Sequence, residues 1–261
     1  MLTTMHNVHG SPKPADRPPE VADGVYMLGT KWVHFYLIEE DGQFTLVDAG
    51  YPGYWGQMAM AVEALGASLA TIHAVMVTHH HVDHAGVAEQ LRSTVGARVF
   101  VGQGDTARIE GKQPSHPPKG FYRESWRLSM IGYLMHTIKA GGAKYRPVAD
   151  PESLCDDQTL DLPGRPRVVH TPGHTAGHYS ICLSERGVLL SGDALVNFDY
   201  AAGRYGLGQH RFNEDRDRAT ASLQRLDPID ADIVLFGHGD PWTNGLGKAL
   251  EIVREGGAST N

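Results

Sequence analysis

Cysteine is nearly absent: Cys155 and Cys182 are the only two among 261 residues, and they form no C-x-x-C pair. Neither a disulfide framework nor a thiolate zinc knuckle is therefore indicated, and both are read as ordinary thiols. Positive charge is also in short supply, the formal net charge being −7. Phosphate binding is driven by clustered Lys and Arg, so no nucleic-acid partner is expected. No apolar run approaches the roughly 20 residues of a membrane-spanning helix, so no membrane partner is expected either. The stretch Met1 to Asp23 is rich in Pro, His and charge and lacks the apolar segment of a standard signal peptide. It is read as a flexible lead, residues 1–23, on a soluble cytoplasmic protein. Repeats and low-complexity tracts are missing as well.

What is present is enough apolar material for a sizeable core, 41% of residues, and an alternation of strand-like and helix-like segments. Val25 to Leu28 and Val33 to Ile38 read as strands, and Asp41-Gly42 turns the chain into Phe44 to Val47 as a hairpin. Trp55, Met58, Val62 and Leu65 recur at helical spacing, as do Val87, Leu91 and Val95. After a strand at Arg98 to Val101 the regularity lapses into an insert, roughly residues 103–166. Within it Phe121, Leu128, Ile131, Met135 and Ile138 make one helical stripe, read as a core or lid helix. Strands return at Arg167 to Val169, His178 to Leu183, Val188 to Leu190 and Asp232 to Phe236. Asn213 is read as the cap of a helix ending at Asp227-Pro228, and Leu246 to Val253 as a last helix. We expect one α/β domain over residues 24–261.

The richest segment is Thr78-His79-His80-His81-Val82-Asp83-His84-Ala85-Gly86, directly behind the apolar run Ala74 to Val77. Imidazole and carboxylate are ligands that borderline divalent metals such as zinc take up, and catalytic sites keep a position open for water. His79, His81, Asp83 and His84 cannot all reach one ion from a single tight turn, but they can serve two neighbouring ions. The arrangement recurs. Arg167 to Val169 leads into Thr171-Pro172-Gly173-His174, Val188 to Leu190 into Ser191-Gly192-Asp193, and Ile233 to Phe236 into Gly237-His238. Ligand types arriving at strand ends can converge on one edge of a sheet layer, where loops bind and react.

These segments, with Leu46-Val47-Asp48-Ala49-Gly50 and the H-x-H-x-D-H order of residues 79–84, resemble the metallo-β-lactamase superfamily of binuclear metallohydrolases over about residues 25 to 255. The resemblance implies a four-layered αββα sandwich of two mixed sheets flanked by helices. It implies His79, His81 and His174 around one metal, Asp83, His84 and His238 around the other, and Asp193 bridging both. The cofactors would be two divalent ions, zinc by ligand type with iron or manganese as alternatives. Such a pair can trap a bridging hydroxide at neutral pH and polarise a carbonyl or phosphoryl oxygen. Asp83 is read as orienting that hydroxide and carrying a proton to the leaving group, or as a ligand only.

Neighbouring residues receive plainer readings. Asp48 resembles the family's buried aspartate and supports a ligand by hydrogen bonding. His80 points away from the metals, His170 and His178 make structural hydrogen bonds, and His116 and His136 lack ligand spacing. Tyr200 either packs in the core or donates to an oxyanion. Lactamases of the family usually lack an aspartate at the Asp193 position, glyoxalase II adds a long helical C-terminal region, and nuclease branches carry basic modules. The remaining expectation is a small-molecule hydrolase acting on an ester, lactone or thioester. The alternative class is a mononuclear iron persulfide dioxygenase, with its iron on His79, His174 and Asp193. A β-lactamase, a phosphodiesterase and a non-catalytic scaffold rank below. Phe121, Tyr122, Trp126, Met130 and Tyr133 are expected to wall the substrate pocket. The partners left open are a small-molecule substrate and a second copy of the chain in a homodimer.

Overall fold

The computed structural model describes residues 17–115 and 120–256. Strands β1 (Glu20–Ala22), β2 (Val25–Thr30), β3 (Val33–Glu40) and β4 (Gln43–Val47) form an antiparallel meander, which β5 (Ile72–Val77), β6 (Arg98–Gly102) and β7 (Glu152–Leu154) extend in parallel. Asp41 and Gly42 at the β3–β4 turn both have positive φ, 50° and 74°, as a two-residue hairpin loop requires. A second sheet, in the order β13-β10-β9-β8, is built from β8 (Arg167–His170), β9 (Tyr179–Leu183), β10 (Val188–Gly192) and β13 (Ile233–Phe236). Between β10 and β13 the chain makes a separate two-stranded ribbon, β11 (Val196–Asp199) with β12 (Arg204–Gly208).

Side chains alternate across a strand, and that alternation generates the layers. From β3 and β5, Val33, Phe35, Leu37, Val75 and Val77 pack on Met58 and Val62 of α1 (Trp55–Ala64), with Leu91 beside them. Their neighbours Tyr36, Ile38, Ala74 and Met76 turn the other way and meet Val168, Ile181, Leu183, Val188 and Leu190 of the second sheet. The outer face of that sheet, Val169, Cys182 and Leu189, is covered by Leu223, Leu226, Leu246 and Leu250. The result is helices, sheet, sheet, helices. The remaining helices are α2 (Val82–Ala85), α3 (Ala88–Val95, which carries Leu91), α4 (Thr106–Ile109), α5 (Phe121–Glu124), α6 (Leu128–Lys139), α7 (Arg216–Ser222) and α8 (Leu246–Arg254).

Three expectations change. Strand β1 falls inside the stretch expected to be a flexible lead, because its backbone pairs with β2; residues 1–16 lie outside the described residues. The helix expected from Phe121 to Ile138 is two helices, with Arg127 extended (ψ 137°) between them. Its apolar stripe faces outward: Leu128 is 87% exposed and Ile138 70%. Met130 and Tyr133 are the buried pair of α6, packed with Phe198, Tyr200, Ala201 and Phe212. Helical spacing identifies a stripe but not the neighbour it meets.

Candidate metal centre

Each predicted ligand arrives at the C-terminal end of a strand, on one side of the two packed sheets. β5 delivers His79 and His81 and then α2, a single turn carrying Asp83 and His84; β8, β10 and β13 deliver His174, Asp193 and His238. The structure brings all seven together. His79, His81 and His174 form one group able to hold an ion, Asp83, His84 and His238 another, and Asp193 joins His79 and His84 in a third and His174 and His210 in a fourth. His81 Nδ1 lies 2.9 Å from His79 Nε2 and 3.1 Å from His174 Nε2, so three imidazole nitrogens converge. Asp193 occupies the middle. Its Oδ2 is 3.3 Å from both His174 Nε2 and His238 Nε2 and 3.9 Å from His79 Nε2, while Oδ1 is 3.6 Å from His84 Nε2.

The backbone permits this only with glycine at the crossing points. Gly192, before Asp193, has φ of +53°. A Cβ on Gly237 would stand 2.5 Å from Asp193 Oδ1 and 2.6 Å from His84 Cε1, a clash that nothing nearby can relieve without displacing both.

Outer hydrogen bonds aim the inner nitrogens. His84 Nδ1 is held by Asp48 Oδ2 at 2.8 Å, His174 Nδ1 by Asn213 Oδ1 at 3.2 Å, and His238 Nδ1 donates to the carbonyl of Trp32. A ring whose outer nitrogen donates keeps its lone pair on the inner one, the state a metal needs. Asp48 is itself fixed by the amide and hydroxyl of Thr78 at 2.8 and 3.0 Å, with a left-handed φ of 59°. Asp193 is positioned through its own amide, which donates to His178 Nε2 at 2.9 Å.

Of the four buried side-chain atoms without a hydrogen-bond partner among the described residues, two, His84 Nε2 and Asp193 Oδ1, belong to the predicted ligands. Such atoms normally cost about 1–3 kcal/mol each, which a shared cation would offset. The donor set therefore fits a divalent metal. Burial alone would raise Asp193, but the imidazoles of His238, His84 and His210 outweigh it and hold the carboxyl well below its usual range. Asp83 is likewise lowered, burial being overcome by His84, His238 and His81. Burial opposes charging of His84 too, yet Asp193, Asp48 and Asp83 lift it to about 10. The site is thus built around ionised carboxylates that favour positive charge.

A cleft of about 360 Å³ opens onto this cluster, lined by His81, Asp83, Phe121, Tyr133, Tyr200 and His210 among others. Tyr133 reaches from α6 to donate its hydroxyl to Asp83 Oδ2 at 2.9 Å, and burial and the Asp83 charge keep that hydroxyl protonated. Tyr200 stacks on Tyr133 with ring centroids 4.1 Å apart. Of the expected pocket wall, Phe121 and Tyr133 line the cleft and Met130 is buried beneath it, whereas Tyr122 and Trp126 are 73% and 74% exposed and face away.

His80 joins none of the ligand groups; its amide donates to Asp105 Oδ2 at 3.0 Å and its ring also touches the cleft. His170 hydrogen-bonds the Ala176 carbonyl and His136 the Tyr54 hydroxyl. His116 lies outside the described residues. Asn213 does not cap α7, since Asp215 does so by accepting from Arg218 N at 2.9 Å, which leaves Asn213 free to hold His174. Sequence reasoning missed Asp105, which also accepts from Thr175 Oγ1 at 2.6 Å and Gly177 N at 3.0 Å and so ties the His-rich turn to the loop of His174. It missed His210 as well, a buried ring with Nε2 3.6 Å from Asp193 Oδ2. His210 follows the ribbon rather than a core strand, so no motif marks it.

A sequence profile described as the metallo-beta-lactamase superfamily matches residues 33–238, most of the chain and every one of the seven ligand positions. The chain belongs to the metallo-beta-lactamase superfamily. A family protein of known structure from Thermus thermophilus superposes with a TM-score of 0.64 at 26% identity, covering 90% of this chain and 80% of that one. A probable metallo-hydrolase of Bacillus subtilis is 25% identical over 86% of this chain and 87% of its own length. A hydroxyacylglutathione hydrolase of Rhodospirillum rubrum is 24% identical over 82% of this chain and 64% of its own. Membership places the chain in a superfamily of metallo-hydrolases, with two sheets flanked by helices.

Proposed function

We propose that the protein is a binuclear metal-dependent hydrolase that cleaves a carbonyl ester, lactone or thioester of a small molecule. One observation carries the reading: the donors divide around Asp193 into His79, His81 and His174 on one side and Asp83, His84 and His238 on the other. The first three would hold one ion, the second three the other, and Asp193 both; zinc suits such a nitrogen and oxygen set, as do iron and manganese. Two such ions supply hydroxide near neutral pH and draw electron density from a carbonyl oxygen.

The chain's own residues do the remaining work. Asp83, ionised and fixed by the Tyr133 hydroxyl, would orient the attacking hydroxide, accept its remaining proton once the oxygen has added to the carbonyl carbon, and pass that proton to the leaving group as its bond to that carbon breaks. Phe121, Leu134 and Tyr145 give the cleft an apolar wall suited to an acyl group. The one Lys or Arg side chain lining it among the described residues, Arg108, is paired with Glu214 at 2.7 Å, which argues against a polyanionic phosphodiester. The Rhodospirillum relative named as a hydroxyacylglutathione hydrolase lends support to hydrolysis.

The test combines metal analysis with a panel of lactones, esters, thioesters, phosphodiesters and β-lactams. We expect about two ions per chain after reloading with zinc or manganese, and carbonyl ester, lactone or thioester cleavage without oxygen uptake. One iron per chain, with rapid oxygen consumption on glutathione persulfide and an inert ester panel, would replace the hydrolase by an oxygenase.

A further inference from the structure

His210 is the one histidine at the centre whose polarity runs the wrong way for a ligand. In His84, His174 and His238 the outer nitrogen faces an oxygen of Asp48, Asn213 or Trp32, so each ring can keep its proton outside and offer its inner nitrogen to a cation. In His210 the outer nitrogen, Nδ1, instead accepts the backbone N–H of Phe212 at 3.2 Å. A nitrogen that accepts cannot also carry a proton, and a neutral imidazole has one N–H; the proton of His210 therefore sits on Nε2. Turning the ring into a ligand would set a protonated Nδ1 against the Phe212 amide, donor against donor.

That Nε2–H points at the reaction centre. The ring stands 4.4 Å from that of His174 and 5.5 Å from that of His238, centroid to centroid, and it lines the same cleft as Asp83 and Tyr200. The nearest carboxylate oxygen, Asp193 Oδ2, is 3.6 Å away, beyond hydrogen-bond reach, so Asp193 does not consume the donor. A buried, neutral N–H held in place before the reaction is the kind of group that stabilises oxygen as negative charge develops on it. Resting on the hydrolase reading above, we propose that His210 is no eighth ligand but a catalytic hydrogen-bond donor, presenting Nε2–H to the carbonyl oxygen of the bond being cleaved.

The test uses the full chain reloaded with zinc, as parent, His210→Ala and His210→Gln. Nitrogen-15 NMR of the parent should find Nε2 of His210 protonated and Nδ1 bare. Both variants should bind as much zinc as the parent. With the ester or thioester that the parent cleaves, His210→Ala should lose about 100-fold in kcat while KM moves less than about threefold, the pattern of a contact made chiefly in the transition state. His210→Gln, which keeps an N–H donor, should regain at least about tenfold of that loss. Zinc lost from either variant, a proton on Nδ1, or an unchanged kcat in His210→Ala would each overturn the proposal. A parent that hydrolyses nothing in the panel overturns the hydrolase reading and the role toward a carbonyl, while the tautomer and the zinc content still decide donor against ligand.

Discussion

At the scale of single residues, Asp193 and His80 make the sharpest contrast, since both are buried and both stand among the histidines. The Asp193 carboxylate has five imidazole nitrogens within 3.9 Å, those of His79, His84, His174, His210 and His238, on both sides of the centre. His80 belongs to no ligand group and turns to Asp105 and to Ser115 Oγ at 3.2 Å. Asp193→Ala should therefore bring the metal content from about two ions to below one and abolish turnover, while His80→Ala keeps both ions. Metal analysis of the two purified variants checks this, and equal loss from both would mean that the division of the His-rich turn is wrong.

Elements are held in register by groups that touch no substrate. Asp105, in the turn that follows β6, binds the turn of residues 79–84 to the loop of residues 171–177 through three hydrogen bonds. Burial by itself would raise its carboxyl, but His80, the Thr175 hydroxyl and the Gly177 amide outweigh burial and bring it from 3.8 to about 2. A carboxyl lowered on folding stabilises the fold fully above its unfolded value and loses that contribution as pH falls toward its folded one. Asp105→Asn should thus cost roughly 2 kcal/mol at pH 7 in denaturant unfolding, and the gap from the parent should begin to close below about pH 4. A gap independent of pH would assign the loss to packing. In the insert, Phe121 lines the cleft and Trp126 faces outward. Phe121→Ala should shift KM or acyl-chain preference about tenfold, as one lost apolar wall contact does, and Trp126→Ala should leave both unchanged. Kinetics of the two variants on a chain-length series decides whether the insert selects substrate.

For the whole molecule, the centre lies where four strands from both sheets end, so whatever fills it fastens the two halves together. A metal bound only by the native state stabilises by mass action. Chelation should lower Tm by about 10 °C, the shift that roughly 4 kcal/mol gives a chain of this size, and zinc should restore it. A Tm unmoved by chelator, with metal loss verified, would show that the sheets hold the site without help from the ion.

The amino-acid sequence by itself determined the strands β2 to β6, β8 to β10 and β13, though not β1, β7 or the β11–β12 ribbon, and the order and residue types of the candidate ligand segments. Strand alternation and the H-x-H-x-D-H turn are local patterns whose physics needs no distant partner: Val33, Phe35 and Leu37 must face one way and Tyr36 the other, and His81, Asp83 and His84 lie within one turn. The tertiary structure alone decided which face of α6 looks inward, that Asn213 holds His174 rather than capping a helix, and that Tyr133 reaches Asp83. It alone placed His210 beside Asp193 and set its tautomer through the Phe212 amide. Each of these depends on a neighbour supplied by folding. An exposed and a buried stripe can share one helical period, and an isolated histidine carries no signal of where its two nitrogens will point until the chain has closed around it.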